Sequence, residues 1–259
     1  MSTMPAAGLF DLTGKVAIIT GSSRGIGEAI AIAMAQQGAR VVISSRKVEP
    51  CEAVAQAIRK TGAEAIAVPC NISKRAEVEA LVAETRAQLG AVDILVCNAA
   101  VNPVYGPLAD LGDEAFDKIM SSNVKSNLWL ANLTLPDMAA SGGGAMIIVS
   151  SIAGIRASRG LGGYAISKAA DFALARNLAM EWGPQNVRVN CIAPGLIKTA
   201  FARALWEDEA SLAKRNAQTP LGRIGTPDEI GGVAAFLASP AASFLTGQII
   251  TVDGGVTSA

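Results

Sequence analysis

The chain has 259 residues, 51% of them hydrophobic, and its 22 basic and 22 acidic side chains leave no net charge. That length fits one large core, the 26 glycines suit a buried sheet joined by tight turns, and the charge balance leaves no basic excess for nucleic acid or an anionic membrane. There is no histidine, and Cys51, Cys70, Cys97 and Cys191 form no C-x-x-C pair, so no metal site is expected and the thiols read as reduced and structural.

The first basic residue is Lys15, so residues 1–12 lack the charged start of a secretory signal and a cytoplasmic location is expected. Short β-branched runs at 16–20, 41–44, 65–68, 92–96, 146–150, 187–191 and 249–252 read as buried strands, with Gly142-Gly143-Gly144 as a loop before the fifth. Helical patterns fill most of the intervals. Repeated βαβ units predict an α/β fold, a doubly wound seven-stranded parallel sheet of the Rossmann-like kind, forming a single domain over 1–259 with ligands at the carboxyl ends of the strands. The helix beginning near Tyr164 is small and apolar on most sides, as expected of a helix buried on more than one face, with a subunit interface as the second cover. Residues 230–252 carry no charge and are long enough to span a membrane, but Ser239-Pro240 and Gly247-Gln248 divide them into a short helix, a turn and a strand. The tail Thr257-Ser258-Ala259 matches neither a peroxisomal nor an endoplasmic-reticulum retrieval signal.

The first strand runs into Gly21-Ser22-Ser23-Arg24-Gly25-Ile26-Gly27 and then an apolar helical stretch. Glycines at a strand-to-helix turn let the backbone approach a pyrophosphate, and the helix N-terminus offers free N–H groups, so this loop reads as a dinucleotide cradle. Its spacing is Gly-x-x-x-Gly-x-Gly rather than Gly-x-Gly-x-x-Gly. After the second strand comes Ser44-Ser45-Arg46-Lys47, where an NAD enzyme would place a carboxylate on the adenosine ribose. Arg46, with Arg24, can instead flank a 2′-phosphate, which predicts NADP(H) over NAD(H); the plainer reading is two solvated surface arginines.

Without imidazole, acid/base chemistry near neutral pH needs another group. Tyr164 and Lys168 stand four apart, so on a helix they share a face and the ammonium can favour the phenolate. Tyr and Lys at this spacing also occur on many ordinary amphipathic helices; the phosphate loop is what tips the reading.

Together these residues resemble the short-chain dehydrogenase/reductase family. The likeness runs from Leu12-Thr13-Gly14-Lys15 to Asp253-Gly254-Gly255 and takes in Thr20-Gly21, Gly25, Gly27, Asn98-Ala99-Ala100, Asn123, Ser151, Tyr164, Lys168 and Pro194-Gly195. Residues 98–103 and 193–199 look closest to NADPH-dependent carbonyl and retinal reductases of the dehydrogenase/reductase member 4 type. The resemblance implies that Ser151, 13 residues before Tyr164, holds a substrate carbonyl, with Ser150 as its rival. It implies that Tyr164 moves the proton, that Lys168 supports it and holds the nicotinamide ribose, and that Asn123 kinks its helix and ties a water chain to the lysine. It assigns Asn98 and Ala99 to the adenosine side, and Pro194, Gly195, Ile197 and Thr199 to the nicotinamide side. Ser45 and Ile72 join the expected cofactor contacts. Two departures are Ala100, where most members have glycine, and Asn71 before Ile72, where most have an aspartate; the carbonyl of Asn71 can still meet an adenine amino group.

The function expected is reversible reduction of a ketone or aldehyde by NADPH. The alternative is an alcohol or hydroxysteroid dehydrogenase working oxidatively. A non-catalytic NADPH-binding module should have lost its Tyr-Lys pair, and a lyase or dehalogenase on this fold should have lost its glycine loop; both are intact. The substrate lip is expected from residues 101–105 and 152–156 and from a flap at 199–216, where Phe201, Leu205 and Trp206 either face a hydrophobic carbonyl compound or simply cover the core. Arg156 either attracts an acidic substrate or faces water. Family likeness implies a homotetramer built on helices near 114–138 and 164–181.

Overall fold

The computed structural model describes residues 8–157 and 159–258. The first seven residues, Ser158 and Ala259 lie outside the described residues, and with them parts of the amino-terminal stretch and carboxyl tail read above. Seven strands make one parallel sheet: β1 (Val16–Thr20), β2 (Arg40–Ser44), β3 (Ala65–Ala67), β4 (Ile94–Cys97), β5 (Gly144–Val149), β6 (Val187–Pro194) and β7 (Ile249–Val252), in the order β3-β2-β1-β4-β5-β6-β7. The order reverses between β1 and β4, and in such a sheet a crevice opens there beyond the carboxyl ends.

The connecting helices are α1 (Gly25–Gln36), α2 (Val48–Arg59), α3 (Arg75–Leu89), α4 (Asp113–Met120), α5 (Ser126–Ala140), α6 (Gly162–Trp182), α7 (Glu209–Ala217) and α8 (Pro227–Ala238). Every residue of β1 and β4 is buried, because both faces of the sheet are covered. On one face Ile30, Met34, Ile58 and Ile230, from α1, α2 and α8, pack on Ile19 and Ile43. On the other, Leu81, Leu130 and Phe172, from α3, α5 and α6, pack on Leu95 and Ile148. Fully burying such a side chain contributes roughly 1.5–3 kcal/mol. On α8, a Cβ added to Gly231 would lie 2.8 Å from the carbonyl oxygen of Ala29, so α8 and α1 approach backbone to backbone.

Strand edges depart from the sequence reading where tertiary pairing extends them. Gly144 is not loop but the first residue of β5, its N–H donating to the carbonyl of Asn186 at 3.2 Å. β6 continues to Pro194 because β7 pairs with it from Cys191 to Pro194. Val92 stays outside β4, its N–H donating to the Asp137 carboxylate at 3.4 Å. The expected helix over 114–138 is interrupted by a wide turn at Ser121–Lys125, where one extra residue is accommodated between α4 and α5. The uncharged stretch at 230–252 divides into α8, a turn at Pro240–Ala242 and β7, and no helix among the described residues is long and apolar enough to cross a membrane.

Candidate active site

The glycine turn is shaped by close approach. Gly21 and Gly25 take positive φ, 66° and 63°, which L side chains rarely adopt. At Gly27 a Cβ would lie 2.4 Å from the carbonyl oxygen of Gly21, so only glycine fits there. Arg24 precedes α1 in extended conformation beside Ser23, and its side chain does not cap the helix, so the first turn, from Gly25 and Ile26, keeps N–H groups for a ligand. This open, glycine-lined helix start fits a pyrophosphate. Ser22 lies deeper than its neighbours: it is buried, its hydroxyl donates to the Ile19 carbonyl at 2.6 Å, and it accepts from the N–H of Ser44 at 2.9 Å. That side chain ties β1 to β2.

Asn98 braces the same turn from behind. Its side-chain amide donates to the carbonyls of Thr20 (2.9 Å) and Gly21 (3.1 Å), while the N–H groups of Asn98 and Ala99 both donate to Thr20 Oγ1. Beside the glycine turn and after β2, Arg24 and Arg46 are exposed. Ser45 is half-buried, and its hydroxyl lies 3.1 Å from Cys51 Sγ. The side-chain oxygen of Asn71 accepts from the N–H of Ser73 at 3.1 Å, and Ile72 is buried. Beyond β6, Gly195 passes so near Asp253 that a Cβ would stand 2.8 Å from its Cα, and Pro194 and Ile197 are buried beside it. The Thr199 methyl comes within 3.4 Å of the Cβ position on Gly25, so this loop meets the glycine turn at the edge of the crevice.

Ser151 caps a short turn at Ile152–Gly154 by accepting from the N–H of Ala153 at 3.1 Å, which leaves its own O–H to donate. Ser150 points inward: it is buried, and its hydroxyl donates to the carbonyl of Lys168 at 2.8 Å. Tyr164 is half-buried, its ring 6.3 Å from that of Phe201, and Lys168 Nζ lies 5.6 Å from the Tyr164 ring centre. The two share a helix face.

Lys168 is only 2% exposed and Asp171 0%. The ammonium donates to the carbonyl of Val149 at 2.9 Å and to Asp171 Oδ2 at 3.1 Å. Burial pulls the ammonium towards its neutral form, but Asp171 and Tyr164 outweigh that, so Lys168 ends above the ordinary lysine range. Burial likewise pushes the Asp171 carboxyl up, against the ammonium, Asn127 and Ser150. Asn127 donates to Asp171 Oδ1 at 3.1 Å and to the backbone carbonyl of Asn123 at 2.7 Å. Asn123 itself is fully engaged: its side-chain oxygen accepts from the N–H of Val101, and its amide donates to Val101 O and Ser167 Oγ. The direct partners of Lys168 are therefore Val149 and Asp171, while the carbonyl of Asn123 is held by a side chain. The sequence reading missed Asp171 and Asn127. The signal was present: Asp171 is the one acidic residue in the small apolar run 169–175.

Arg156 donates to the carbonyl of Val256 at 2.8 Å, anchoring the segment after β7. Within 199–216, a short turn at Arg203–Leu205 and α7 are joined to the crevice by Trp206, whose indole N–H donates to the Thr199 carbonyl at 3.0 Å. A cleft of about 740 Å³ lies on the other side of α6, lined by Tyr105, Pro107, Leu108, Ala165 and Ile166; it does not include Tyr164 or Ser151. All four cysteines are free and buried. Among the described residues no group of side chains could hold a metal ion.

The family model described as Enoyl-(Acyl carrier protein) reductase matches residues 21–257. A curated relative, Dehydrogenase/reductase SDR family member 4 of Oryctolagus cuniculus, is 45% identical over 247 residues, 95% of this chain and 95% of its own. The Homo sapiens protein of that name is 41% identical and covers 95% of this chain and 89% of its own. Of solved structures, a gluconate 5-dehydrogenase from Burkholderia cenocepacia J2315 in complex with NADP and tartrate superposes with a TM-score of 0.94 at 35% identity, covering 98% of this chain and 100% of that one. A 7 alpha-hydroxysteroid dehydrogenase complexed with NADH and 7-oxo glycochenodeoxycholic acid gives 0.93 at 39% identity, covering 97% and 98%.

Proposed function

Because this chain belongs to the short-chain dehydrogenase/reductase family and is therefore an oxidoreductase, we propose that it reduces a ketone or aldehyde with NADPH, reversibly, through Ser151, Tyr164 and Lys168. The observation that carries the reading is the Lys168 ammonium 5.6 Å from the Tyr164 ring. Ser151 supports it: its hydroxyl is available while that of Ser150 is turned into the core.

The bound nicotinamide supplies the hydride, or accepts it in reverse. Gly21, Gly25 and Gly27, with the N-terminus of α1, receive the pyrophosphate. Arg24 and Arg46 receive a 2′-phosphate, and the loop from Pro194 to Thr199 holds the nicotinamide side. The Ser151 O–H donates to the carbonyl oxygen and fixes it, Tyr164 delivers the proton, and Lys168 stabilises the phenolate left behind. The NADP preference is supported by the two exposed arginines and by the NADP complex of the gluconate 5-dehydrogenase; the NADH complex of the hydroxysteroid dehydrogenase is the counterexample that makes the cofactor worth measuring.

An oxidative role is the second reading, favoured by structural neighbours that are themselves dehydrogenases. Residues 199–216 act in either direction as an apolar flap, since Phe201 is 59% exposed and reaches the Tyr164 ring. A homotetramer through α4–α5 and α6 is supported by apolar side chains on their outer faces, Leu128, Ile166 and Met180. The free thiols support a cytoplasmic location.

The test is a panel of ketones and alcohols with both nicotinamides, on wild type and Tyr164→Phe. Tyr164→Phe is expected to leave NADPH binding nearly intact and cut turnover by at least about 10²-fold. Unchanged turnover in that variant overturns the assignment.

A further inference from the structure

The catalytic candidates account for Tyr164 and Lys168 but leave a second ionised group, fully buried behind them, without a part. Asp171 lies one turn along α6 from Lys168. One carboxylate oxygen meets the ammonium at 3.1 Å and the other accepts from Asn127 at 3.1 Å. Asn127 in turn grips the carbonyl of Asn123 at 2.7 Å, so an unbroken line of side chains joins Asn123 on the wide turn before α5 to Lys168 on α6.

The rest of the pocket is neutral. Ser150, after β5, approaches through its hydroxyl. The Cys191 thiol, on β6, donates to the backbone carbonyl of Asp171 at 3.5 Å. Burial pushes this thiol and that of Cys97, on β4, far above the ordinary range, so both stay protonated. Arg176, further along α6, is exposed and acts on the Cys191 thiol. Among the described residues, Asp171 is the one anion facing the ammonium.

We propose that Asp171 is a positioning residue of this site: its carboxylate, oriented by Asn127, keeps the buried Lys168 ammonium charged and seated beside Tyr164. An ammonium taken out of water favours its neutral form unless a counter-charge accompanies it. Lys168 sits in such surroundings and yet binds its proton more tightly than an exposed lysine, with Asp171 the largest influence in that direction. Two of its three N–H donors are taken by Asp171 and Val149, which seats the ammonium 5.6 Å from the Tyr164 ring centre with one donor to spare. An uncharged Lys168 would give the Tyr164 phenolate no support.

This inference rests on the catalytic assignment above, and its test reads the lysine charge without turnover. Protein labelled with ¹³C at the lysine ε-carbons is titrated by NMR, the Lys168 resonance being assigned by its loss in Lys168→Arg. In wild type it is expected to remain that of an ammonium to a higher pH than the exposed lysines of the same protein. In Asp171→Asn the titration midpoint falls by at least about one pH unit, and the pH for half-maximal turnover in the alcohol-oxidising direction moves up. Asn127→Ala, which keeps the carboxylate but frees it, is expected to shift both in the same directions by less, and serves alone if Asp171→Asn does not fold. An unchanged midpoint overturns the proposal, as does a lowered midpoint with a wild-type pH profile. Should Tyr164→Phe retain full turnover while the midpoint still falls, the error lies in the catalytic assignment and the ion pair stands.

Discussion

Asn98 and Thr20 clasp one another through two hydrogen bonds, backbone N–H to Oγ1 at 3.0 Å and side-chain amide to backbone carbonyl at 2.9 Å. The clasp fixes the glycine turn from behind, because the same amide also reaches Gly21 and the same hydroxyl also receives Ala99. Thr20→Val keeps the shape but leaves two N–H groups without their acceptor. It is expected to cost about 2 kcal/mol in a urea unfolding curve, from the desolvated donors, and to raise KM for the nicotinamide more than KM for the carbonyl substrate.

Two glycine-to-alanine changes should have opposite signs. Gly27→Ala drives a methyl to 2.4 Å from the Gly21 carbonyl and is expected to abolish measurable cofactor binding in a fluorescence titration. Gly232→Ala, on the exposed side of α8 with nothing within 4 Å of the added carbon, is expected to stabilise the protein by about 0.5–1 kcal/mol, since alanine gives up less backbone freedom in a helix.

Cofactor choice is read most directly at Arg46. A charge-assisted hydrogen bond of about 1.5–3 kcal/mol corresponds to a roughly 10- to 150-fold loss. Arg46→Ala is expected to reduce kcat/KM for NADPH within that range and leave the NADH value unchanged. Equal loss with both nicotinamides would remove the 2′-phosphate contact from the reading.

Glu229 offers a pH dependence of stability. The Arg223 guanidinium, the N–H of Thr226 and the proximity of the positive charge hold its carboxyl down at about 2. A folded-state value below the unfolded one means the contribution is complete above the unfolded value, near 4.5, and fades as pH falls to about 2. The pair is half exposed, so the effect is screened. Glu229→Gln is expected to lower Tm by no more than about 4 °C at pH 7, with the difference shrinking in a thermal melt series as pH falls from 4.5 through about 2.

The sheet and its winding were legible because each strand is a β-branched run buried on both faces, and such a run carries its signal locally. Strand ends were not: β6 is lengthened to Pro194 by pairing with β7, some 55 residues later in the chain. At the site, the shared face of Tyr164 and Lys168 and the tight turn at residues 21–27 were legible because i,i+4 spacing on a helix and glycines at a strand-to-helix junction act locally. Asp171 and Asn127 acquire meaning only through contact with each other, 44 residues apart in sequence. Arg156 was ambiguous for the same reason: its partner, the Val256 carbonyl, lies 100 residues downstream. The hold of the Asn98 side-chain amide on Thr20 and Gly21 was not legible either, because it depends on which way one amide faces.

The contact between Gly231 and Ala29 has a reach beyond the interior it helps to fill. Because α1 carries the glycine turn at its leading end, whatever sets the tilt of α1 also aims that end, and α8 does so by near-direct contact with the Ala29 backbone. A single methyl added at Gly231 would act as a wedge under a lever, swinging the far tip out of the crevice while leaving every residue of the turn unaltered.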